Sequence, residues 1–84
     1  SILETITPNP TSNNTIISYK LNGVQSAYIT IMGYYGGNNT SNNYILDTNN
    51  SEISIDITNY QNGFYTLALI CDGQIVDAKT LIKQ

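Results

Sequence analysis

Apolar and polar residues alternate with a period of two along much of the chain, which is the pattern of β-strands with one buried and one solvated face. Residues 52–58 and 26–31 show this alternation most clearly. Residues 64–71 are apolar at both parities apart from Thr66. That segment is therefore predicted to lie in the middle of a sheet, where neighbouring groups cover both of its faces.

The pattern predicts seven short strands joined by turns that are rich in Gly, Asn and Pro. The predicted strands are residues 2–7, 15–21, 26–32, 44–47, 52–58, 64–71 and 74–83. The longest predicted loop covers residues 33–43. Between the last two strands, Asp72 and Gly73 favour a two-residue type I′ hairpin, because both residue types adopt positive φ at low cost.

Short strands separated by regular turns are typical of a two-sheet architecture. We therefore predict an all-β fold, an immunoglobulin-like β-sandwich of about seven short antiparallel strands. The cysteine and tryptophan signature of antibody domains is absent, so the likeness is to the layout alone. The length of 84 residues corresponds to one domain, which we assign to residues 1–84.

Composition narrows the classes of function. The net charge is −3, with three lysines and no arginine, so no basic surface can replace phosphate counterions and no nucleic-acid partner is expected. There is no histidine and one cysteine, Cys71, which removes Ser-His-Asp and Cys-His catalysis and zinc sites built from His and Cys. We expect no enzymatic activity, no cofactor and no metal. Cys71 follows the buried parity of its strand and is expected in the core.

The longest apolar runs are residues 28–32 and 67–71. Both are far shorter than the ~18 residues that a membrane-spanning helix needs, so no membrane insertion is expected. The first residues lack a basic region followed by an apolar one, so no signal peptide is expected either.

Two short motifs lie at opposite ends of the chain. Residues 6–13 read Ile-Thr-Pro-Asn-Pro-Thr-Ser-Asn, and the two prolines must end the first strand because proline fixes φ and lacks a backbone N–H. Near the other end come Gly63-Phe64-Tyr65, the Asp72-Gly73 pair and the closing Leu81-Ile82-Lys83-Gln84. In this order the motifs resemble the type A C-terminal sorting domain of proteins that the type IX secretion system of Bacteroidota exports. The resemblance covers nearly the whole chain.

That resemblance implies a signal domain and not a catalyst. Such a domain folds in the periplasm on the end of an N-terminal cargo domain and is read by the outer-membrane type IX translocon. A sortase-like cysteine peptidase then removes it at the cell surface, so the cargo becomes secreted or surface-attached. One departure from the family lies at Gly33, where an Asp is more usual, and the following loop is longer and richer in Asn here.

The candidate recognition residues lie near both ends. Pro8, Asn9 and Pro10 form a strand-ending turn, a rigid element that the translocon contacts, or both. The final strand is either an ordinary edge strand, whose lysines discourage aggregation, or a surface that pairs with another chain as an added strand. The resemblance favours recognition in the final strand. The residues assigned to it there are Lys79, Leu81, Ile82, Lys83 and Gln84.

Four other residues are interpreted as determinants of the fold. Gly63 allows the turn before its strand, and Tyr65 is expected to bond its hydroxyl to the preceding corner, as in other sandwiches. Asp72 and Gly73 are accounted for by the hairpin. Because a sandwich has exposed edge strands, we also expect a weak tendency to form a strand-paired dimer.

A second class of function also fits the sequence, namely an immunoglobulin-like carbohydrate-binding or adhesive module of a secreted enzyme. Its support is Tyr28, Tyr34, Tyr35 and Tyr44, because exposed aromatic rings stack on sugars and the last two flank the predicted loop at 33–43. The absence of tryptophan counts against it. A passive spacer domain fits the composition equally well.

Overall fold

The computed structural model describes residues 1–84 and consists of seven strands and no helix. The strands are β1 (Ile2–Thr7), β2 (Asn14–Lys20), β3 (Ala27–Tyr35), β4 (Asn38–Ile45), β5 (Glu52–Asp56), β6 (Gly63–Cys71) and β7 (Gln74–Lys83). None of the chain therefore forms a helix that is long and apolar enough to cross a membrane. The prediction of an all-β fold with about seven strands is confirmed.

The strands pair antiparallel and form two sheets. One sheet has three strands in the order β1-β2-β5, and the other has four in the order β4-β3-β6-β7. Their facing side chains make a core of 14 buried residues, consistent with a β-sandwich. Cys71 is a buried free thiol in this core, as predicted.

The structure confirms that β6 lies inside a sheet and that most of it is covered on both faces. It pairs with β3 on one side and β7 on the other, and residues 67–71 are all buried. The first part of the strand differs, because Phe64 and Thr66 are exposed. These two residues face outward from the four-stranded sheet, where no third layer covers them.

The turn between β6 and β7 has the predicted geometry. Asp72 has a φ of 49° and Gly73 a φ of 83°, and positive φ at both central residues defines a type I′ hairpin. The Asp72 carboxylate also accepts hydrogen bonds from the backbone N–H groups of Gln25, at 3.2 Å, and Ser26, at 3.0 Å. The turn is thus attached to the loop that enters β3.

The prediction that residues 33–43 form a loop is wrong. β3 continues to Tyr35, and β4 begins at Asn38, six residues before the predicted start of that strand. Only Gly36 and Gly37 form the turn, with φ values of 63° and 80° that again suit a type I′ hairpin. The Asn-rich strand is stable as a strand because it lies at the edge of the sheet, where polar side chains on both faces remain hydrated.

A bulge changes the register between β6 and β7. Cys71 pairs with Gln74 beside the turn, but Tyr65 pairs with Leu81, one residue further along than an unbroken ladder would place it. An extra residue in one strand reverses which of the later side chains face the core. Leu81 and Lys83 therefore point into the sandwich, on the same side as Tyr65.

Candidate recognition site

The Pro-Asn-Pro segment lies directly against the last strand. The side-chain amide of Asn9 donates a hydrogen bond from Nδ2 to the carbonyl oxygen of Thr80, at 2.9 Å. Its Oδ1 accepts a hydrogen bond from the backbone N–H of Ile82, also at 2.9 Å. One donor and one acceptor in this arrangement reproduce what a peptide group of a neighbouring strand would offer. The side chain of Asn9 thus extends the sheet beyond β7.

Thr11 continues this pairing with its backbone. Its N–H donates to the carbonyl oxygen of Ile82, and its own carbonyl oxygen accepts from the N–H of Gln84, both at 3.0 Å. These bonds form a parallel bridge between Thr11 and Lys83. The Thr11 hydroxyl is buried and donates to the carbonyl oxygen of Asn14 at 2.8 Å, which fixes the segment to the start of β2.

The two prolines explain why a side chain has this role. Pro8 and Pro10 carry no backbone N–H, so a segment that contains both of them cannot pair as a regular strand. Both X-Pro peptide bonds are cis. The carbonyl oxygen of Pro8 accepts a hydrogen bond from the Thr15 hydroxyl at 2.9 Å. The segment is therefore held from both sides, with Asn9 directed at β7.

These contacts concern the two interpretations of the last strand, an ordinary edge strand or a surface that pairs with another chain. The edge groups from Thr80 to Gln84 are bonded to Asn9 and Thr11. An added strand would first have to displace the Pro-Asn-Pro segment. This part of β7 is a covered edge, because two segments that are distant in sequence meet there.

The residues predicted in the last strand divide into buried and exposed groups. Leu81 is 0% exposed and belongs to the core. Lys83 is 8% exposed, and its Nζ donates to the Asn62 side chain at 3.2 Å. Neither side chain is therefore presented to a partner. Lys79 and Gln84 are exposed, and Ile82 is half-buried on the outer face.

The outer face next to Ile82 contains a residue that was not expected to be functional. Phe64 is paired with Ile82 across β6 and β7, and it is 70% exposed. Tyr34, on the same outer face of β3, is 66% exposed. Adjacent residues of a strand face opposite sides, and Phe64 is adjacent to the inward-facing Tyr65. This alternation was the one signal in the sequence that could have predicted that Phe64 is exposed.

We use the name terminal surface for the exposed or half-exposed residues that these contacts bring together. It consists of Pro8, Asn9, Pro10, Phe64, Ile82 and Gln84. Lys79 lies outside it, because it pairs with Leu67 and shares the inner parity of that core residue. The sequence motifs at the two ends of the chain therefore contribute to a single region of the fold.

Comparison with known families decides what kind of domain this is. The family model for the secretion system C-terminal sorting domain matches residues 5–84. The chain belongs to this family of sorting domains. The match confirms the resemblance seen in the sequence, and it makes the chain a sorting signal of the type IX secretion system whose cargo is exported. No curated protein and no solved structure matches the chain.

A carboxylate joins the two sheets of the sorting domain at their edges. Asp77 in β7 accepts a hydrogen bond from the N–H of Leu3 in β1 at 2.8 Å and another from the N–H of Ala78 at 2.9 Å. The bond from Leu3, with the smaller contributions of Ala78 and of nearby positive charge, holds the pKa of Asp77 below its usual value. The Asp77 carboxylate thereby attaches β1 to a part of β7 that Asn9 does not contact.

Three tyrosines pack where β6 begins. The Tyr65 hydroxyl donates to the carbonyl oxygen of Gln61 at 2.6 Å, which is the expected bond to the preceding corner. The Tyr65 ring lies 4.9 Å from that of Tyr35 and 5.2 Å from that of Tyr60, measured between ring centroids. Burial is the main reason that the pKa values of Tyr60 and Tyr65 are raised above the usual phenol value.

Two glycines make room for these rings. A Cβ on Gly33 would lie 2.7 Å from Cδ2 of Tyr65 and 2.8 Å from Cε2 of Tyr35. Gly63 has a φ of 142°, and a Cβ there would collide with the Tyr35 hydroxyl, which donates to the carbonyl oxygen of Phe64 at 2.7 Å. At Gly33 a ring is therefore packed directly on the backbone.

Proposed function

We propose that this sorting domain directs its N-terminal cargo across the outer membrane and that the type IX translocon recognises it through the terminal surface. A sortase-like peptidase then removes the domain at the cell surface and releases or attaches the cargo. The observation that supports this assignment is the pairing of Asn9 and Thr11 with the last strand. It joins the motif near the start of the family match to the residues at its end.

The chemistry of the terminal surface suits contact with another protein. Phe64 supplies an exposed aromatic side chain, and aromatic residues are enriched at protein–protein interfaces. The two prolines and the bonded Asn9 form a segment that loses little conformational freedom on binding, which favours affinity. The translocon on this account reads a folded surface, and it does not capture an unpaired strand.

An export assay tests the sorting function. Residues 1–84 are fused to the C-terminal end of a fluorescent protein that carries a periplasmic signal peptide, and the fusion is expressed in a Bacteroidota strain with type IX secretion. Fluorescence in the medium or on the cell surface is expected with the domain and not with the fluorescent protein alone. Retention of a folded fusion in the periplasm would contradict the proposal.

Truncation of the tail is a poor probe of recognition in this assay. Removing residues 81–84 would take Leu81 out of the core and break the bonds of Ile82 and Gln84 to the Pro-Asn-Pro segment. A loss of export would then reflect unfolding as well as lost contacts. Single substitutions of exposed residues avoid this ambiguity.

For removal at the surface, mass spectrometry of the exported cargo should show that residues 1–84 are absent.

A further inference from the structure

A cleft of about 370 Å³ with no charged side chain in its lining opens beside the three packed tyrosines. One wall is the inner face of the β3–β4 hairpin, with Tyr35, Thr40 and Asn42, and the other is the loop between β5 and β6. The volume falls within the range of small-molecule sites in proteins. The terminal surface contributes no residue to the lining of this cleft.

The inner face of β4 is unusual for a sandwich. Thr40 pairs with Gly33 and Asn42 with Ile31, so both side chains lie on the face that in β3 belongs to the core. Such positions are normally apolar, because facing sheets bury them. Here Thr40 is half-buried and Asn42 is exposed. This part of the strand lines the cleft and does not extend the core.

The walls of the cleft are held in place by hydrogen bonds that do not involve a ligand. Tyr65 fixes the loop through its bond to the carbonyl oxygen of Gln61, and Lys83 fixes the adjacent Asn62. The hydroxyl groups of Tyr60 and Tyr44 lie 2.5 Å apart in a mutual hydrogen bond. A site whose aromatic groups are already positioned loses little conformational entropy when it is occupied.

The lining indicates the chemistry of a ligand. It contains three tyrosine rings, the amides of Asn42, Asn59 and Gln61 and the hydroxyl of Thr40, with no charged side chain. Primary amides donate and accept at the same time, which matches pairs of neighbouring hydroxyl groups. Aromatic rings offer an apolar surface to the C–H face of a sugar, and the absence of charge disfavours ionic ligands.

We propose that this cleft is a binding site for a neutral pyranose sugar, separate from the sorting function. Tyr35 and Tyr60 contact the apolar face of the ring, and the amides of Asn42, Asn59 and Gln61 bond its hydroxyl groups. The assignment revises the glycan hypothesis drawn from the sequence, because Tyr28 and Tyr34 lie on the outer face and only Tyr35 of that set lines the cleft.

Amide chemical-shift titration of the ¹⁵N-labelled chain tests the proposal. The probes are three neutral β-linked disaccharides, cellobiose, lactose and N,N′-diacetylchitobiose. At least one of them should shift the amide signals of residues 35, 40, 42 and 59–61, with a dissociation constant on the order of millimolar, as a ring-sized ligand allows. The signals of residues 8–11 should not move.

Two matched variants make the test specific. Asn42→Ala removes an amide that lines the cleft and should weaken binding about fivefold or more, the effect of one lost hydrogen bond. Asn39→Ala makes the same change on the opposite face of β4 and should leave affinity unchanged. The proposal is overturned if no probe shifts these signals at roughly 100 mM, or if both variants bind like the original chain. Neither result affects the export assay.

Discussion

The backbone N–H of Ile82 donates a hydrogen bond to the side chain of Asn9, 73 residues earlier in the chain, at 2.9 Å. The same side chain donates to the carbonyl oxygen of Thr80. A side-chain amide thus takes the place of a strand along the edge of β7. The Pro-Asn-Pro motif is accordingly more than a turn, since it covers the end of the sheet and joins the two ends of the fold.

Substitution of Asn9 should therefore weaken the whole fold. Asn9→Ala removes both hydrogen bonds and is expected to lower the free energy of unfolding by about 1–2 kcal/mol. Urea denaturation followed by circular dichroism measures the change. Asn39→Ala, an exposed asparagine in β4, serves as the control and should change stability by less than about 0.5 kcal/mol. Equal stability of the two variants would contradict a structural role for Asn9.

The packing of Tyr65 on Gly33 gives a second prediction. Gly33→Ala places a methyl group 2.7 Å from the Tyr65 ring and should destabilise the domain by about 1–3 kcal/mol, as overpacking of a filled site does. Ser41→Ala in the neighbouring strand is an exposed control. If the ring is the cause, the penalty of Gly33→Ala should shrink in a Tyr65→Leu background. An unchanged penalty there would contradict the role of Tyr65 and leave the Tyr35 ring, 2.8 Å from the added methyl group, as the cause.

Much of the fold could be predicted because strand alternation and turn residues are local signals. The Asp72-Gly73 hairpin and the burial of Cys71 could each be predicted from neighbouring residues alone. The first six residues of β4 were not predicted, because the local signal for a strand is weak there. Its four Asn residues have low strand propensity in general, and only the pairing with β3 makes this segment a strand. The Gly36-Gly37 turn was the local signal that could have revealed it.

The terminal surface was harder to predict, because it depends on long-range contacts. The motifs were recognised separately, but no pattern shows that a side chain of one bonds to the backbone of the other. The bulge in β7 also has no clear signal, and it decides that Leu81 and Lys83 point inward while Ile82 stays on the outer face. In the folded chain Leu81 and Lys83 are buried, and Phe64 is the exposed residue opposite Ile82.

Stability should fall in acid partly through Asp77. Its pKa is lower in the folded state than in the unfolded chain, so its contribution is present above the unfolded value and is lost as the pH falls through the folded value. Between about pH 4 and pH 2, Asp77→Asn should therefore show a shallower loss of stability than the original chain. Chemical denaturation at several pH values measures this.

Asp56 is a second carboxylate whose pKa is lowered, so its effect on acid stability must be measured separately. Asp56 bonds to the hydroxyl and backbone N–H of Thr58, which lowers its pKa, so Asp56→Asn should flatten the profile as well. The two effects should add, because the groups share no hydrogen-bond partner. An Asp77→Asn profile parallel to that of the original chain would rule out the contribution of Asp77.

The expected weak dimer should form through β4 and not through β7. The outer edge of β4 has no partner strand, and the strand carries no charged side chain, whereas the end of β7 is covered. Light scattering should show a rise in mean mass as the protein approaches about 1 mM. Ser41→Lys places a charge on this edge and should abolish the rise. A monomeric profile of the original chain over the whole range would refute the dimer.

The most direct test of the central claim compares outer-face variants in the export assay. Phe64→Ser and Ile82→Ser alter the terminal surface, whereas Ile45→Ser alters a residue that is 86% exposed at the other end of the same sheet face. Circular dichroism of each purified variant first establishes that it is folded. Export of the original fusion and of Ile45→Ser, with retention of the other two in the periplasm, is the predicted result. Equal export of all three folded variants would contradict recognition through the terminal surface.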